Sequence, residues 1–163
     1  MSILLKRIHS PVYKMRVRGI LKQILPWLNT GDRVLDVGCG FGVLGKMIMD
    51  SPRCPAGVSV TGLEKIRRND VQIPIEYYGG DKMPYPDNAF EVVILADVLH
   101  HETDPHRLIE ECVRVAERYL IIKDHKLDGF CSKLRISLMD WSSNIQYGIP
   151  CIYRYNGVEE WHS

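Results

Sequence analysis

Several things are missing from this 163-residue chain. No apolar run approaches the ~20 residues that a membrane-crossing helix needs, which excludes a helical span. Neither sign of charge is in excess: the net charge is +1, so the whole-molecule balance implies no polyanion partner. There is no C-x-x-C pair, and the five cysteines, at 39, 54, 112, 131 and 151, are odd in number and scattered. That pattern excludes a disulfide framework and a zinc ribbon, and it reads as reduced thiols in a cytoplasmic protein. Internal repeats and low-complexity tracts are absent as well. The N-terminus carries Lys and Arg too early and too often for a signal peptide. What remains is 45% apolar and 25% charged, the balance of one globular domain. Lys6, Arg7, Lys14, Arg16, Arg18 and Lys22 all precede the first acidic residue, Asp32. Such a segment can meet an anionic substrate, a nucleic acid or a membrane surface, but a solvated helix face is the plainer reading. A nucleic-acid partner is not expected.

The chain is organised around Val34-Leu35-Asp36-Val37-Gly38-Cys39-Gly40-Phe41-Gly42. An apolar run broken by one carboxylate reads as a buried parallel strand. Three glycines follow at alternate positions, then Val43, Leu44, Met47 and Ile48 at helical spacing. Strand, glycine turn and helix open a nucleotide-binding α/β sheet. Glycine permits the tight turn and lets backbone touch a ligand, and the new helix offers free N–H groups. Gly40-Phe41-Gly42-Val43-Leu44-Gly45 formally matches the dinucleotide fingerprint, but it starts two residues late. A dinucleotide-dependent oxidoreductase is therefore the weaker alternative. A purely structural turn is weaker still, because an acid inside a buried strand needs a partner.

Residues 1–28 read as a helical segment with a break near Pro11, and Tyr13 is a weak candidate to reach the cleft. Residues 32–125 form the core. Val58 to Leu63 is a second strand ending in Glu64, whose carboxylate can accept from both ribose hydroxyls. Between Glu64 and Asp81 a full crossover helix is hard to fit, and Val71 to Tyr78, with Pro74, suggests an edge strand. Gly79 to Phe90 is a rigid Pro/Gly loop. In it Asp81 is placed to accept from an exocyclic amine, and Met83 to pack on a purine face. Glu91 to Ala96 is a central strand ending in Asp97-Val98-Leu99-His100-His101. Asp104-Pro105 then starts a helix that buries Leu108, Ile109, Cys112, Val113 and Ala116. Tyr119 to Ile122 is the fifth strand, followed by Lys123-Asp124-His125. Residues 126–163 read as a further helix, about Asp128 to Trp141, and a tail in which Asn156 could cap another helix.

With these residues placed, VLDVGCGFG, VTGLE, GGDKMPYPDNAFEVVILADVLHH and RYLIIKD together resemble the class I S-adenosylmethionine-dependent methyltransferases, most of all the type 11 methyltransferase domain family. The resemblance covers roughly Trp27 to Lys123. It implies a Rossmann-like, mostly parallel sheet flanked by helices. In the family the strand order is 3-2-1-4-5-7-6, and here about five strands, 3-2-1-4-5, are expected. By position, Asp36, Gly38 and Gly40 would hold the methionine part of the cofactor, with Cys39 in the same turn. Glu64 would bind the ribose with Lys65 beside it. Asp81 would bind the adenine amine, with Lys82 and Met83 framing the ring. Ala96 and Asp97 would contact the amino-acid end of the cofactor or the methyl-transfer region. The shortened sheet leaves strand five as an edge unless the tail or a homodimer covers it. It also leaves open a cofactor-binding homologue without catalysis.

The implied reaction is displacement of a methyl group from the sulfonium of S-adenosylmethionine to a small-molecule acceptor, with S-adenosylhomocysteine as product. An oxygen acceptor needs a base of near-neutral pKa, which favours His. His100, His101 and His125 are the candidates, all placed at strand ends facing the cleft. Asp124 and Lys123 would orient the acceptor or pair with each other. No metal site is expected: adjacent histidines point apart on a strand, and no spacing supplies a third ligand.

Overall fold

The computed structural model describes residues 15–124, with the backbone of 126–127 and 156–157. Pro11, Tyr13, His125 and the helix expected over 128–141 lie outside the described residues. The first described element is helical over residues 15–24 (α1) and runs into a 3-10 turn, Leu25–Trp27. The central sheet holds β1 (Arg33–Val37), β2 (Ser59–Glu64), β3 (Ile75–Tyr77), β4 (Phe90–Ala96) and β5 (Ala116–Lys123). Its order is β3-β2-β1-β4-β5, and every pair is parallel. The five-strand Rossmann-like sheet expected from the sequence is therefore present.

Two cores sit on the two faces of this sheet. On one face Val34, Val60, Val92 and Ile94 meet Val17, Ile20 and Ile24 of α1, and Leu44 and Ile48 of α2 (Val43–Met49). On the other, Leu35, Val37, Val93 and Leu95 meet Leu108, Cys112 and Val115 of α3 (Pro105–Val115). Alternate residues of one apolar run thus serve opposite layers, as a doubly covered parallel strand requires. Each fully buried aliphatic side chain contributes about 1.5–3 kcal/mol. Asp104 caps α3 by accepting from the Arg107 N–H at 3.1 Å, with Pro105 at the first helical position. Such a cap is worth about 0.5–2 kcal/mol.

Four details differ from the sequence reading. β3 is only Ile75–Tyr77, because Ile73 turns into a notch beside α2. A Cβ on Gly42 would lie 2.5 Å from Ile73 Cγ1, and one on Gly45 2.8 Å from Ile73 Cδ1. These two glycines therefore make room for the loop that stands in place of a crossover helix, and the formal dinucleotide match dissolves into packing. β5 begins three residues early, at Ala116, which ends α3. Val113 is 58% exposed and not part of the buried face of α3. Asn156 does not cap a helix: Asn156–Gly157 (β7) pairs in parallel with Lys126–Leu127 (β6).

Candidate functional site

Asp36 lies in β1, between two neighbouring strands, with its side chain on the α2 face. It is 2% exposed, and its Oδ2 has no hydrogen-bond partner among the described residues. Burial, then the nearby Glu64 charge, push its pKa up to about 7, while a hydrogen bond from the Gly45 backbone works the other way. The turn that follows is left-handed at Gly38 and Gly40. At Gly38 the approach is close: a Cβ would stand 2.7 Å from Val98 Cγ2. At Gly40 none of the described residues lies within 4 Å of that position, so they leave the backbone bare there. Cys39 packs its sulfur against Gly62, and burial pushes its thiol up, away from reactivity.

Glu64 ends β2 and turns back into the glycine turn. Its Oε2 accepts from the Gly40 N–H at 2.9 Å. Its Oε1 accepts from the N–H groups of Lys65 at 2.8 Å and Ile66 at 3.2 Å. An ionised carboxylate offers about four acceptor positions, so these three contacts leave capacity for another donor. Lys65 reaches across to Glu102 at 2.6 Å.

The loop expected at an adenine ring divides. Asp81 is 82% exposed and pairs with Arg107 at 3.3 Å, and Lys82 is exposed beside it. Met83 does not frame a ring; it is 2% exposed, inside the α3-side core. Its N–H donates to Glu111 Oε2 at 2.8 Å, while Arg114 donates to the carbonyls of Met83 and Tyr85. The apolar side chain is drawn inward because the backbone around it is pinned to α3.

Beyond β4, half-buried Ala96 leads into Asp97, a non-glycine residue at φ 61°. A left-handed conformation at such a residue costs on the order of 1 kcal/mol and is sustained by its surroundings. Here Arg16 of α1 pairs with Oδ2 at 2.6 Å, Lys123 of β5 holds Oδ1, and the Asp97 N–H donates to the Lys123 carbonyl at 2.7 Å. The next turn, Leu99–His101, buries His100, whose Nδ1 meets Asp124 Oδ1 at 2.6 Å. The His101 ring lies 4.0 Å from that of His100. Sequence reasoning left Lys123 and Asp124 either to orient the acceptor or to pair with each other; the structure gives them different partners, Asp97 and His100, because neighbours at a strand end face opposite ways. Arg114 was missed altogether, and nothing in the sequence paired Arg16 with Asp97 or Glu102 with Lys65. Only the run of charge before Asp32 could have flagged Arg16.

The family model described as methionine biosynthesis protein MetW matches residues 18–138. The chain belongs to this family. Among curated relatives of this MetW-family chain, 27-O-demethylrifamycin SV methyltransferase of Amycolatopsis mediterranei is 33% identical over 109 residues, 61% of this chain and 40% of its own length. Ubiquinone biosynthesis O-methyltransferase of Maricaulis maris is 30% identical over 99 residues, 53% and 37% of the two chains. The chain thus spans about two fifths of the length of these relatives. A SAM dependent methyltransferase from Aquifex aeolicus shares the fold, with a TM-score of 0.55, 23% identity and 83% of each chain covered. The class I methyltransferase resemblance drawn from the glycine turn and the strand ends is thereby upheld.

The MetW-family site fits a nucleoside that carries a cationic amino-acid tail. A buried carboxylate oxygen without a partner calls for a donor, preferably a charged one. Bare backbone at Gly40 admits close approach, and Glu64 keeps an acceptor position for a hydroxyl.

Proposed function

We propose that the protein is an S-adenosylmethionine-dependent methyltransferase acting on a small-molecule acceptor. The observation that carries this reading is the unpartnered, buried Asp36 Oδ2 beside Glu64 at the foot of the glycine turn. The names of the relatives, methyltransferases of a rifamycin and of ubiquinone biosynthesis, support the reaction and the small-molecule acceptor. When bound, S-adenosylmethionine supplies a methyl group activated by its sulfonium.

The chain's own residues do the rest. Asp36 takes the ammonium of the methionine part, with Gly38, Cys39 and Gly40 as its floor. Glu64 accepts from the ribose, and Lys65 flanks it. Asp81 and Lys82 lie on the exposed side of the adenine-side loop. Ala96 and Asp97 border the transfer region, where Arg16 and Lys123 neutralise Asp97. His100 is the base for an oxygen acceptor: with Nδ1 held by Asp124, Nε2 is the basic atom. His101 stacks beside it, and His125, outside the described residues, stands next in sequence to Asp124. Alignment of bound reactants is the larger contribution, recovering on the order of 7–11 kcal/mol of barrier.

We place the protein in the cytoplasm, in keeping with the free thiols of Cys39, Cys54 and Cys112. Among the described residues no helix is long and apolar enough to cross a membrane. A homodimer through β5 or the tail would cover Tyr119 and Ile122, which β5 leaves exposed.

Calorimetric titration with S-adenosylmethionine and S-adenosylhomocysteine tests the reading. Binding that weakens tenfold or more in Glu64→Ala is expected. Absence of binding by the parent chain would overturn it.

A further inference from the structure

Glu102 belongs neither to the glycine turn nor to the His100–Asp124 pair, yet both its oxygens are committed to Lys65 Nζ, at 2.8 and 2.6 Å. The two residues come from different strand ends. Lys65 directly follows β2, and Glu102 closes the turn after β4. β1 lies between those strands, so the pair spans two strand spacings, about 10 Å. It crosses the carboxyl end of β1, where the glycine turn leaves the sheet. Only two long side chains meeting end to end cover that gap.

The adenine-side loop is shaped to receive this bridge. A Cβ on Gly80 would stand 3.0 Å from Lys65 Cε and 3.3 Å from Nζ, and Gly80 has a φ of 96°. Both the space and the backbone therefore call for glycine. Tyr78 closes the same wall: its phenol is pushed up by burial and then by the Glu102 charge. The pair is part-wet, with side chains 36% and 16% exposed. Ion pairs of this kind add little to stability, about 0–1 kcal/mol, and are easily parted.

We propose that Glu102 is a positioning residue for the nucleoside cofactor: it holds Lys65 as a strap across the cleft, which parts for entry and closes over the bound ligand. The proposal rests on the cofactor reading above. The strap slows both arrival and departure of the nucleoside, and it links the ribose end of the site to the loop that carries His100.

Stopped-flow binding of S-adenosylhomocysteine to the full chain reads both rates. Glu102→Gln and Lys65→Met should each raise association and dissociation about three- to fivefold, the factor that a pair of this strength supports. The double variant should go no further than either single one, since both remove the same contact. Glu102→Asp, one methylene short of the span, should behave like Glu102→Gln. Raising salt from about 0.05 to 0.5 M should speed the parent protein and leave the variants unchanged. Rates that stay within twofold of the parent, or single effects that add in the double variant, overturn the strap while the cofactor reading stands. Failure of both the parent and Glu102→Gln to bind overturns the cofactor reading and the strap with it.

Discussion

The two halves of the site are built by different means. The cofactor half, from Asp36 through Gly42 to Glu64, is mostly backbone: Glu64 is fastened by three main-chain N–H groups, and the turn relies on positive φ. The half proposed to meet the acceptor, from Asp97 to Asp124, is mostly side chain. Arg16, Lys123 and Asp124 converge on it from α1 and the end of β5. A backbone-built half suits a ligand that is the same in every turnover. A side-chain half can be re-specified by single substitutions, which suits a variable acceptor.

The difference can be broken most sharply at the acceptor side. Asp124→Asn or His100→Gln should lower turnover about 10²–10⁴-fold for an oxygen acceptor, the usual contribution of a positioned base. Cofactor affinity should stay within threefold of the parent. Steady-state rates alongside calorimetry check this, and a matching loss of cofactor affinity would show that the two halves are one.

Next in size is the pH dependence centred on Asp36. Its carboxyl is pushed up from 3.8 to about 7 in the folded protein. The folded chain therefore holds a proton that the unfolded chain releases. Stability from this group is full below about pH 4 and is lost as pH rises toward 7. Asp36→Asn should remove that slope and gain stability of up to about 4 kcal/mol at pH 8, by the same linkage. Urea melts of both proteins at pH 4 and pH 8 measure it. Curves that stay parallel across that range would mean that Asp36 is ionised throughout. The same variant should bind the cofactor more weakly, which separates stability from function on the backbone-built half.

The smaller expected effects are at Gly38 and then Gly40, and Gly38 comes first. An alanine there adds left-handed strain and presses on Val98, costing about 2–3 kcal/mol. Because Val98 opens the loop toward His100, this substitution should also disturb the acceptor half. Gly40→Ala carries the strain without the clash and should cost only about 1–2 kcal/mol. Equal losses in the two variants, read from denaturant melts, would remove the steric link between the halves.

The cofactor half was legible because its signals are local. The glycine turn, Asp36 and Glu64 each stand where a strand ends, and strand ends show as breaks in apolar runs. Met83 was misread because an apolar side chain in a Pro/Gly loop reads as a ligand platform until Glu111 and Arg114 are seen pulling that loop onto α3. What Gly42 and Gly45 make room for was not legible for a similar reason: Ile73 lies about thirty residues on.

The order around β1 came with the family resemblance; by itself, the sequence determined the parallel strands, the capped start of α3 and the carboxylates at the first two strand ends. These depend on period, on turn chemistry and on backbone freedom, which neighbouring residues set between them. Tertiary structure alone decided which charges meet: Arg16 and Lys123 with Asp97, Asp124 with His100, Lys65 with Glu102. Charge–charge contacts between distant segments carry no period and no required spacing. They exist only once the folded sheet has brought distant strand ends to the same edge.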